Sequence, residues 1–253
     1  MSKKNELFLA CGYVASGKTT VANALASAIG LEIIRTDDIR KELFPEGIDY
    51  NLIDLGNSES VEKIESWIKN NPRADFQQVL NPLTALKNEA YVKIIDKYAP
   101  KIKEQKAEVY DKAFAKLGSL LAAGKSVLFD ATFSSANMRE RAYQTAIESG
   151  VEKIYIIQVV CAEAIVMARL ANRRSGKQKT TSNARQMEVF RKVKNEFDAS
   201  RIKNDNNPEL KIVRIMYDTG THTVKQFGEE DETTKTIKVV LTDLSKQYAA
   251  VTR

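Results

Sequence analysis

The feature that most constrains this chain is an octapeptide between an apolar run and a helical pattern, with the sequence GYVASGKT from Gly12 to Thr19. It fits the pattern G-x-x-x-x-G-K-[ST], whose two glycines let the backbone wrap closely around phosphate oxygens. The helix that begins near Lys18 adds the positive end of its dipole, which favours a bound anion. The sequence therefore predicts a polyphosphate-binding loop, called the phosphate loop below.

Each position of the phosphate loop has an expected task. Lys18 is expected to reach the β- and γ-phosphates of a nucleotide, and the Thr19 hydroxyl to ligate Mg²⁺. The predicted cofactors are therefore ATP and Mg²⁺. The other nucleotide contacts are predicted at the loop positions Gly12, Val14, Ala15, Ser16, Gly17 and Thr20. The chain has no [NT]-K-x-D or D-x-x-G pattern, which argues against a GTPase.

Apolar runs alternate with helical patterns along the chain, which is typical of a parallel sheet with helices on its faces. The expected fold class is α/β, a P-loop NTPase-type three-layer sandwich with a mostly parallel sheet and a helical insert. We expect a single domain, 1–253, with the insert at 45–98. One helix is expected to end before Pro100, and a second to run from there to about Ala123. Five strands are predicted, at 7–11, 31–35, 126–130, 154–160 and 210–217.

Composition excludes several classes of protein. The chain has 253 residues with ordinary apolar (43%) and charged (28%) fractions, which excludes a disordered or collagen-like chain. No apolar run approaches the roughly 18 residues of a membrane span, and the amino-terminal segment lacks a secretory cleavage pattern. We therefore expect a cytoplasmic protein. Cys11 and Cys161 are predicted to be reduced thiols in the core, and His222 to be exposed.

Carboxylates follow two of the predicted strands, where ligands of parallel α/β sheets bind. Asp37 follows the second strand and is a candidate general base, with Arg40 one turn later as a candidate contact to the acceptor. A simple helix cap is the alternative for Asp37. Asp130 follows the third strand; it is expected to hold Mg²⁺ through water, to orient the acceptor, or to act only as a cap.

The net charge of +6 is concentrated in one segment, because nine of the ten charged residues between 169 and 194 are basic. We expect a mobile lid at 173–185 that brings at least one arginine to the transferred phosphate. Arg169 and Arg173 are equal candidates for that role. A solvated helix face is the alternative, and Arg139 and Arg141 are expected at the surface.

Four sequence pieces together resemble the AAA-type predicted-kinase family of P-loop phosphotransferases, which is related to polynucleotide 5′-kinases, chloramphenicol phosphotransferase and zeta toxins. They are GYVASGKT, RTDDIRKELF, LAAGKSVLFDATF and ARLANRR. The resemblance covers about 7–44 and 98–197. It implies a general base at Asp37 and an acceptor contact at Arg40. It also implies that the strand-end pair is Asp130 and Thr132, and that the lid arginines are Arg169 and Arg173.

The expected function is transfer of the ATP γ-phosphate to a hydroxyl group of a small molecule. A polynucleotide 5′-hydroxyl kinase and a nucleotide-gated regulatory protein are the alternatives. The segment 45–98 is longer than the family pattern requires and lies where an acceptor cap is expected. It holds nine acidic and six basic residues, which disfavours a nucleic-acid backbone as acceptor. Trp67 and Tyr91 in this segment are expected to be core residues rather than stacking platforms.

Overall fold

The structure is a computed structural model that describes residues 5–47, 60–81, 83, 89–174, 187–200, 202 and 205–251. These residues form two compact units. The first contains the described parts of Met1–Arg35, Phe114–Thr180 and Arg185–Arg253, and the second contains those of Thr36–Ala113. The second unit therefore includes the predicted insert 45–98 and extends beyond it at both ends. Each unit is described separately below.

The first unit is built on a six-stranded sheet with the strand order β2-β3-β1-β4-β5-β6. The first five strands are parallel, and β6 is antiparallel to β5. The predicted α/β class with a mostly parallel sheet is confirmed. The strands are β1 (Leu7–Gly12), β2 (Glu32–Arg35), β3 (Val127–Asp130), β4 (Lys153–Val160), β5 (Lys211–Asp218) and β6 (Thr223–Phe227).

Helices cover both faces of this sheet, because alternate strand residues are apolar on each side. On one face, the side chains of Phe8, Tyr155 and Ile215 share a core with buried residues of the first and last helices of the chain. On the other face, Phe129 packs edge-on against Phe114, with ring centroids 5.3 Å apart. The helices of this unit are α1 (Lys18–Ile29), the last part of α5 (Glu89–Ala122) from Phe114 onward, α6 (Ala136–Glu148), α7 (Glu163–Arg174), α8 (Met187–Ser200) and α9 (Glu232–Val251).

The second unit is helical and has its own small core. Its helices are α2 (Thr36–Leu43), α3 (Ser60–Asn70), α4 (Phe76–Leu80) and the first part of α5 (Glu89–Ala122). Ile64, Val79 and Tyr91 are buried in this core, and Trp67 packs against it. The Tyr91 hydroxyl also lies 2.5 Å from Ser60 Oγ. Trp67 and Tyr91 are therefore core residues, as predicted.

The predicted helix boundary at Pro100 is wrong, because α5 continues through it without interruption from Glu89 to Ala122. An interior proline removes one hydrogen bond and costs about 3 kcal/mol. Here Pro100 is exposed, while Ile94 before it and Ile102 after it pack into the same core. Burial of this apolar stripe on both sides offsets the lost hydrogen bond.

The strand β6 is not predicted by the sequence, because its side chains alternate between exposed and half-buried at the edge of the sheet and form no apolar run. The turn before it contains His222, which is half-buried rather than exposed, with Nδ1 3.0 Å from the hydroxyl of the buried Tyr217.

Cys11 and Cys161 are free and buried, as predicted. None of the helices in the described ranges is long and apolar enough to cross a membrane.

Candidate active site

The phosphate loop connects β1 directly to α1, and its glycines are required by its geometry. Gly12 has φ 152°, and a Cβ atom at this position would lie 2.2 Å from the Val159 carbonyl oxygen of the neighbouring strand. Gly17 has φ 97° and precedes the first residue of α1. Side chains other than hydrogen are therefore excluded where the loop leaves the sheet and strained where it enters the helix.

One side of the phosphate loop is anchored by aromatic and aliphatic packing. The Tyr13 ring makes edge contacts with Phe190 and Phe197 of α8, with centroids 5.6 and 5.5 Å away. Val14 and Ala15 pack in the same cluster, which also contains residues of α7. The variable positions of the loop therefore hold it against the two helices that flank the predicted lid.

The polar groups of the loop include Lys18, whose Nζ donates to the Tyr13 carbonyl oxygen at 3.1 Å. Ser16 is fully buried, and its Oγ has no hydrogen-bond partner among the described residues. A buried hydroxyl without a partner is costly, because it loses its hydrogen bonds to water. A phosphate oxygen in the loop would supply an acceptor for such a hydroxyl.

The predicted metal ligands Thr19 and Asp130 lie close together. Thr19 Oγ1 donates to Asp130 Oδ2 at 3.4 Å, and Arg35 Nε donates to the same oxygen at 3.0 Å. Asp130 is only 4% exposed. The Nη2 atom of Arg35 donates to Asn23 Oδ1 at 2.7 Å. Sheet register explains the arrangement, because Asp130 is the register partner of Arg35 on one side and of Ala10 on the other.

The segment after Asp130 is tied to the phosphate loop and to a buried ion pair. The Gly12 amide donates to the Thr132 carbonyl oxygen at 3.3 Å. Phe133 has φ 50°, an unusual value for a residue with a side chain, and its carbonyl oxygen accepts from Arg139 Nη1 at 3.0 Å. Arg139 therefore fixes the backbone just beyond the strand end that carries Asp130.

The expectation that Arg139 is a surface residue is wrong, because its side chain is 0% exposed. Its Nε and Nη2 atoms donate to the two carboxylate oxygens of Asp205, to which the Tyr143 hydroxyl also donates at 2.7 Å. This pairing compensates the burial of the charge. Burial raises the pKa of the nearby Cys11 thiol to about 12, despite the opposing charge of Arg139.

Arg169 of α7 contacts the back of the phosphate loop. Its Nη1 donates to the Ala15 carbonyl oxygen and to Thr219 Oγ1, both at 3.0 Å. Thr219 Oγ1 in turn donates to the Ser16 carbonyl oxygen at 2.7 Å. Arg173 lies half-buried one turn further along α7, which ends at Arg174. The remainder of the predicted lid, 175–185, lies outside the described residues.

Asp37 and Arg40 belong to the second unit and are described there by their own surroundings. Asp37 is half-buried in the first turn of α2, where a carboxylate interacts favourably with the helix dipole. Arg40 is 8% exposed, and its Nη1 lies 3.8 Å from Asp75 Oδ1. Asp75 is the N-cap of α4, and its Oδ1 accepts a hydrogen bond from the backbone amide of Gln78 at 3.1 Å.

Two residues of the first unit that contact the site, Arg35 and Thr219, are not among the site residues predicted from the sequence. Arg35 is the last residue of β2, and Thr219 follows the last residue of β5. Thr219 follows the same pattern as Asp37 and Asp130, because it is a polar residue that comes after a parallel strand, where ligands of such sheets bind. For Arg35 the available signal was its register position beside Asp130, which needs the strand order.

A nucleotide with Mg²⁺ fits the groups that the first unit brings together. The glycines leave space for close approach of phosphate, the amino terminus of α1 favours an anion, and Ser16 offers a hydroxyl. A hydroxyl and a carboxylate are hard oxygen donors of the kind that Mg²⁺ prefers. Among the described residues there is no cluster of three or more His, Cys, Asp or Glu side chains that would form an all-protein metal cage. Mg²⁺ usually takes few protein ligands and shares the phosphates of its substrate.

Many solved structures match this chain. A protein of the PezAT chromosomal toxin-antitoxin system of Streptococcus pneumoniae is 12% identical with a TM-score of 0.52, over 99% of this chain and 85% of that one. A gluconokinase from Sinorhizobium meliloti is 15% identical with a TM-score of 0.39, over 99% and 98% of the two chains. A shikimate kinase from Bacteroides thetaiotaomicron is 12% identical with a TM-score of 0.44, over 98% and 99%.

No curated protein sequence matches the chain significantly. The family model described as "AAA domain" matches residues 7–199. The match includes the phosphate loop, the strand end at Asp130, and Arg169, and it covers more than half of the chain. It confirms the resemblance inferred from the four sequence pieces, and this chain therefore belongs to the AAA domain family.

Proposed function

We propose that the protein is a kinase that binds Mg·ATP at the phosphate loop and transfers the γ-phosphate to a hydroxyl group of a small molecule. The observation that carries this proposal is the 3.4 Å contact between Thr19 Oγ1 and Asp130 Oδ2 at the amino terminus of α1. The contact places a hydroxyl and a carboxylate close to the glycines and to Lys18 of the phosphate loop. This is the set of groups that phosphoryl transfer needs for positioning and charge stabilisation.

In this proposal the phosphate loop binds the nucleotide. Backbone amides at the start of α1 donate to phosphate oxygens, and the Ser16 hydroxyl gains the acceptor that it lacks. Lys18 leaves the Tyr13 carbonyl oxygen, 3.1 Å away, to contact the β- and γ-phosphates. The remaining loop contacts are assigned to Gly12, Val14, Ala15, Gly17 and Thr20.

Thr19 and Asp130 are the proposed residues that hold Mg²⁺. The metal supplies neutralisation of the charge on the β- and γ-phosphates. Arg35 orients Asp130, because its Nε donates to Oδ2 at 3.0 Å. Asp130 would hold the metal through water, because Mg²⁺ usually keeps several of its waters.

Asp37 is proposed as the general base that accepts the proton of the acceptor hydroxyl, and Arg40 as a contact to the acceptor. Support comes from the place of Asp37 in the chain, two residues after β2, and from the resemblance of the RTDDIR segment to the kinase pattern. Asp75, 3.8 Å from Arg40, restrains that guanidinium. Arg173 on α7 is the proposed lid arginine, which would stabilise charge on the transferred phosphate.

The proposed acceptor is a small molecule rather than a nucleic acid. The segment 45–98 carries an excess of three acidic residues, and its described part has a compact apolar core that includes Trp67 and Tyr91. Those two rings are therefore engaged in packing and are poorly suited to stack on bases. A nucleic-acid backbone would also be repelled by the negative charge.

Turnover and ATP binding of an Asp37→Asn variant test the proposal, with Asp38→Asn as the matched control. The two carboxylates share the first turn of α2, but Asp38 is exposed. We expect Asp37→Asn to lower kcat by at least about 100-fold while Mg·ATP affinity stays within about twofold, because a general base typically contributes 10²–10⁴-fold. Asp38→Asn should resemble the wild type.

Three other results would redirect the assignment. Full turnover by Asp37→Asn would remove Asp37 as the base. Phosphate transfer to a 5′-hydroxyl oligonucleotide but to no small molecule would make the protein a polynucleotide kinase. A wild-type protein that binds Mg·ATP and transfers phosphate to neither would be a nucleotide-gated regulatory protein.

A further inference from the structure

Two consecutive carbonyl oxygens of the phosphate loop accept hydrogen bonds from side chains that are distant in the sequence. The Ala15 oxygen accepts from Arg169 Nη1 at 3.0 Å, and the Ser16 oxygen accepts from Thr219 Oγ1 at 2.7 Å. Arg169 Nη1 also donates to Thr219 Oγ1 at 3.0 Å, so the two side chains form one connected network. We call Arg169 and Thr219 the loop brace.

The loop brace controls the directions of backbone amides. In a trans peptide the carbonyl oxygen and the amide of the next residue point in opposite directions. Holding the Ala15 and Ser16 oxygens on one side therefore turns the amides of Ser16 and Gly17 to the opposite side, where the Ser16 amide donates to the Tyr13 carbonyl oxygen at 3.3 Å. Lys18 Nζ contacts the same carbonyl oxygen. Ala15 has φ 59°, which is unfavourable for a residue with a side chain, so this turn needs external support.

Thr219 is itself held rigidly. It is 9% exposed, and its amide donates to the Val160 carbonyl oxygen at 3.0 Å. The preceding Asp218 accepts from the amides of Gly220 and Thr221 at 2.8 and 3.2 Å, which fixes the turn after β5. The Thr219 hydroxyl donates one hydrogen bond and accepts another, a combination that serine can reproduce and valine cannot.

We propose that Thr219 is a positioning residue for phosphate binding, which it supports through the Ser16 carbonyl with Arg169 as its partner. The proposal rests on the proposed function, because it assumes that the phosphate loop binds Mg·ATP. It gives Arg169 a role behind the loop instead of a direct contact to the transferred phosphate. Because Thr219 supports the binding of phosphate groups, its effect on ligand affinity should not depend on whether the ligand carries a nucleobase.

The test compares Thr219→Val with Thr219→Ser in titration calorimetry with Mg·ATP and, separately, with Mg·tripolyphosphate. We expect Thr219→Val to weaken both ligands by the same factor, about 5- to 30-fold, because a buried carbonyl oxygen loses its donor. Thr219→Ser should bind both within about twofold of the wild type. In turnover, KM for ATP should rise while kcat changes little, since the amides bind ground and transition states alike.

Each of the other outcomes contradicts either the role of Thr219 or the proposed function. Weakening of Mg·ATP alone, with unchanged Mg·tripolyphosphate affinity, would make Thr219 a nucleobase contact and overturn the proposal. Equal binding by Thr219→Val and the wild type would also overturn it, while leaving the proposed function intact. A wild-type protein that binds neither ligand would overturn both.

A second variant covers the case in which Thr219→Val fails to fold, as judged by its thermal unfolding midpoint. Arg169→Met removes the other half of the loop brace and leaves the hydrogen bond from Thr219 to Ser16 in place. It should weaken Mg·ATP and Mg·tripolyphosphate equally, and Arg169→Lys should restore part of the loss. Unchanged affinity of a folded Arg169→Met variant for both ligands would contradict the brace.

Discussion

Thr19 Oγ1 lies 3.4 Å from Asp130 Oδ2, so the two residues proposed to hold Mg²⁺ are in contact although they are 111 residues apart in the sequence. The parallel pairing of β1 with β3 produces this contact, because it aligns Ala10 with Asp130 and brings the phosphate loop to the same edge. Arg35 approaches the same carboxylate from β2. The contact therefore depends on three adjacent strands of the sheet.

An Asp130→Asn variant is expected to raise the Mg²⁺ concentration needed for half-maximal ATP turnover by about 10- to 100-fold. The reason is that residues which orient metal-bound water typically contribute this much to metal affinity. The measurement is a magnesium titration of initial rates at saturating ATP. Asp243→Asn on the exposed side of α9 is the control and should leave the titration unchanged. An unaltered magnesium requirement in Asp130→Asn would remove Asp130 from the metal site.

A Gly12→Ala variant is expected to lose measurable Mg·ATP binding, because its Cβ would lie 2.2 Å from the Val159 carbonyl oxygen. Neither backbone can move far inside a paired sheet. Gly30→Ala is the matched control, since Gly30 has φ 77° but nothing within 4 Å of the added atom. It should cost only about 1 kcal/mol of unfolding free energy, from the left-handed conformation, and should keep ATP affinity. Wild-type affinity in Gly12→Ala would contradict the loop geometry.

The Arg139–Asp205 ion pair is expected to contribute strongly to stability. Replacing Asp205 with asparagine leaves the fully buried Arg139 without its charge partner, which typically costs about 3 to 5 kcal/mol. Urea unfolding measures this loss. The exposed Lys211–Glu229 pair provides the comparison, and Glu229→Gln should change the unfolding free energy by less than about 0.5 kcal/mol. Similar small effects of both substitutions would show that Arg139 does not depend on Asp205.

The stabilising effect of Asp231 is expected to depend on pH. Burial alone would raise its pKa, but hydrogen bonds from Lys153, Thr234 and Tyr155 outweigh burial and hold the pKa below its usual 3.8. The carboxylate therefore stabilises the folded state above the usual pKa, and this stabilisation is lost as the pH falls through the lowered value. Asp231→Asn should lower the unfolding free energy by about 2 kcal/mol at pH 7.

The pH dependence is measured by urea unfolding of the wild type and Asp231→Asn from pH 7 down to pH 2. The difference between the two proteins should shrink only below about pH 3.8, the usual value for this carboxyl group. A difference that stays constant across the whole range would show that the charge of Asp231 does not stabilise the fold.

The parts of the site that depend on residues close together in the sequence were predictable from it. The phosphate loop was recognised from glycine spacing, and Asp130 from its place after an apolar strand. Burial of charged side chains was not predictable, because a helix sequence does not show which arginine meets a partner 66 residues away, as Arg139 meets Asp205. Similarly, the basic segment suggested a role for Arg169, but only the structure shows its contacts with Ala15 and Thr219.

Fold prediction failed where tertiary packing outweighed local preference. Pro100 argued for a helix end, but the apolar stripe on both sides of it keeps α5 continuous. The polar residues of β6 gave no strand signal, because an edge strand needs little apolar side-chain burial. In both cases the deciding interactions are with residues outside the local window.

The central claim is tested most directly by transfer of γ-labelled phosphate from Mg·ATP to a soluble metabolite extract, with the wild type and a folded Lys18→Ala variant in parallel. A 5′-hydroxyl oligonucleotide serves as a second acceptor. The proposed function predicts label on a small molecule that depends on Lys18, with none on the oligonucleotide. The absence of Lys18-dependent label on any small molecule would contradict it.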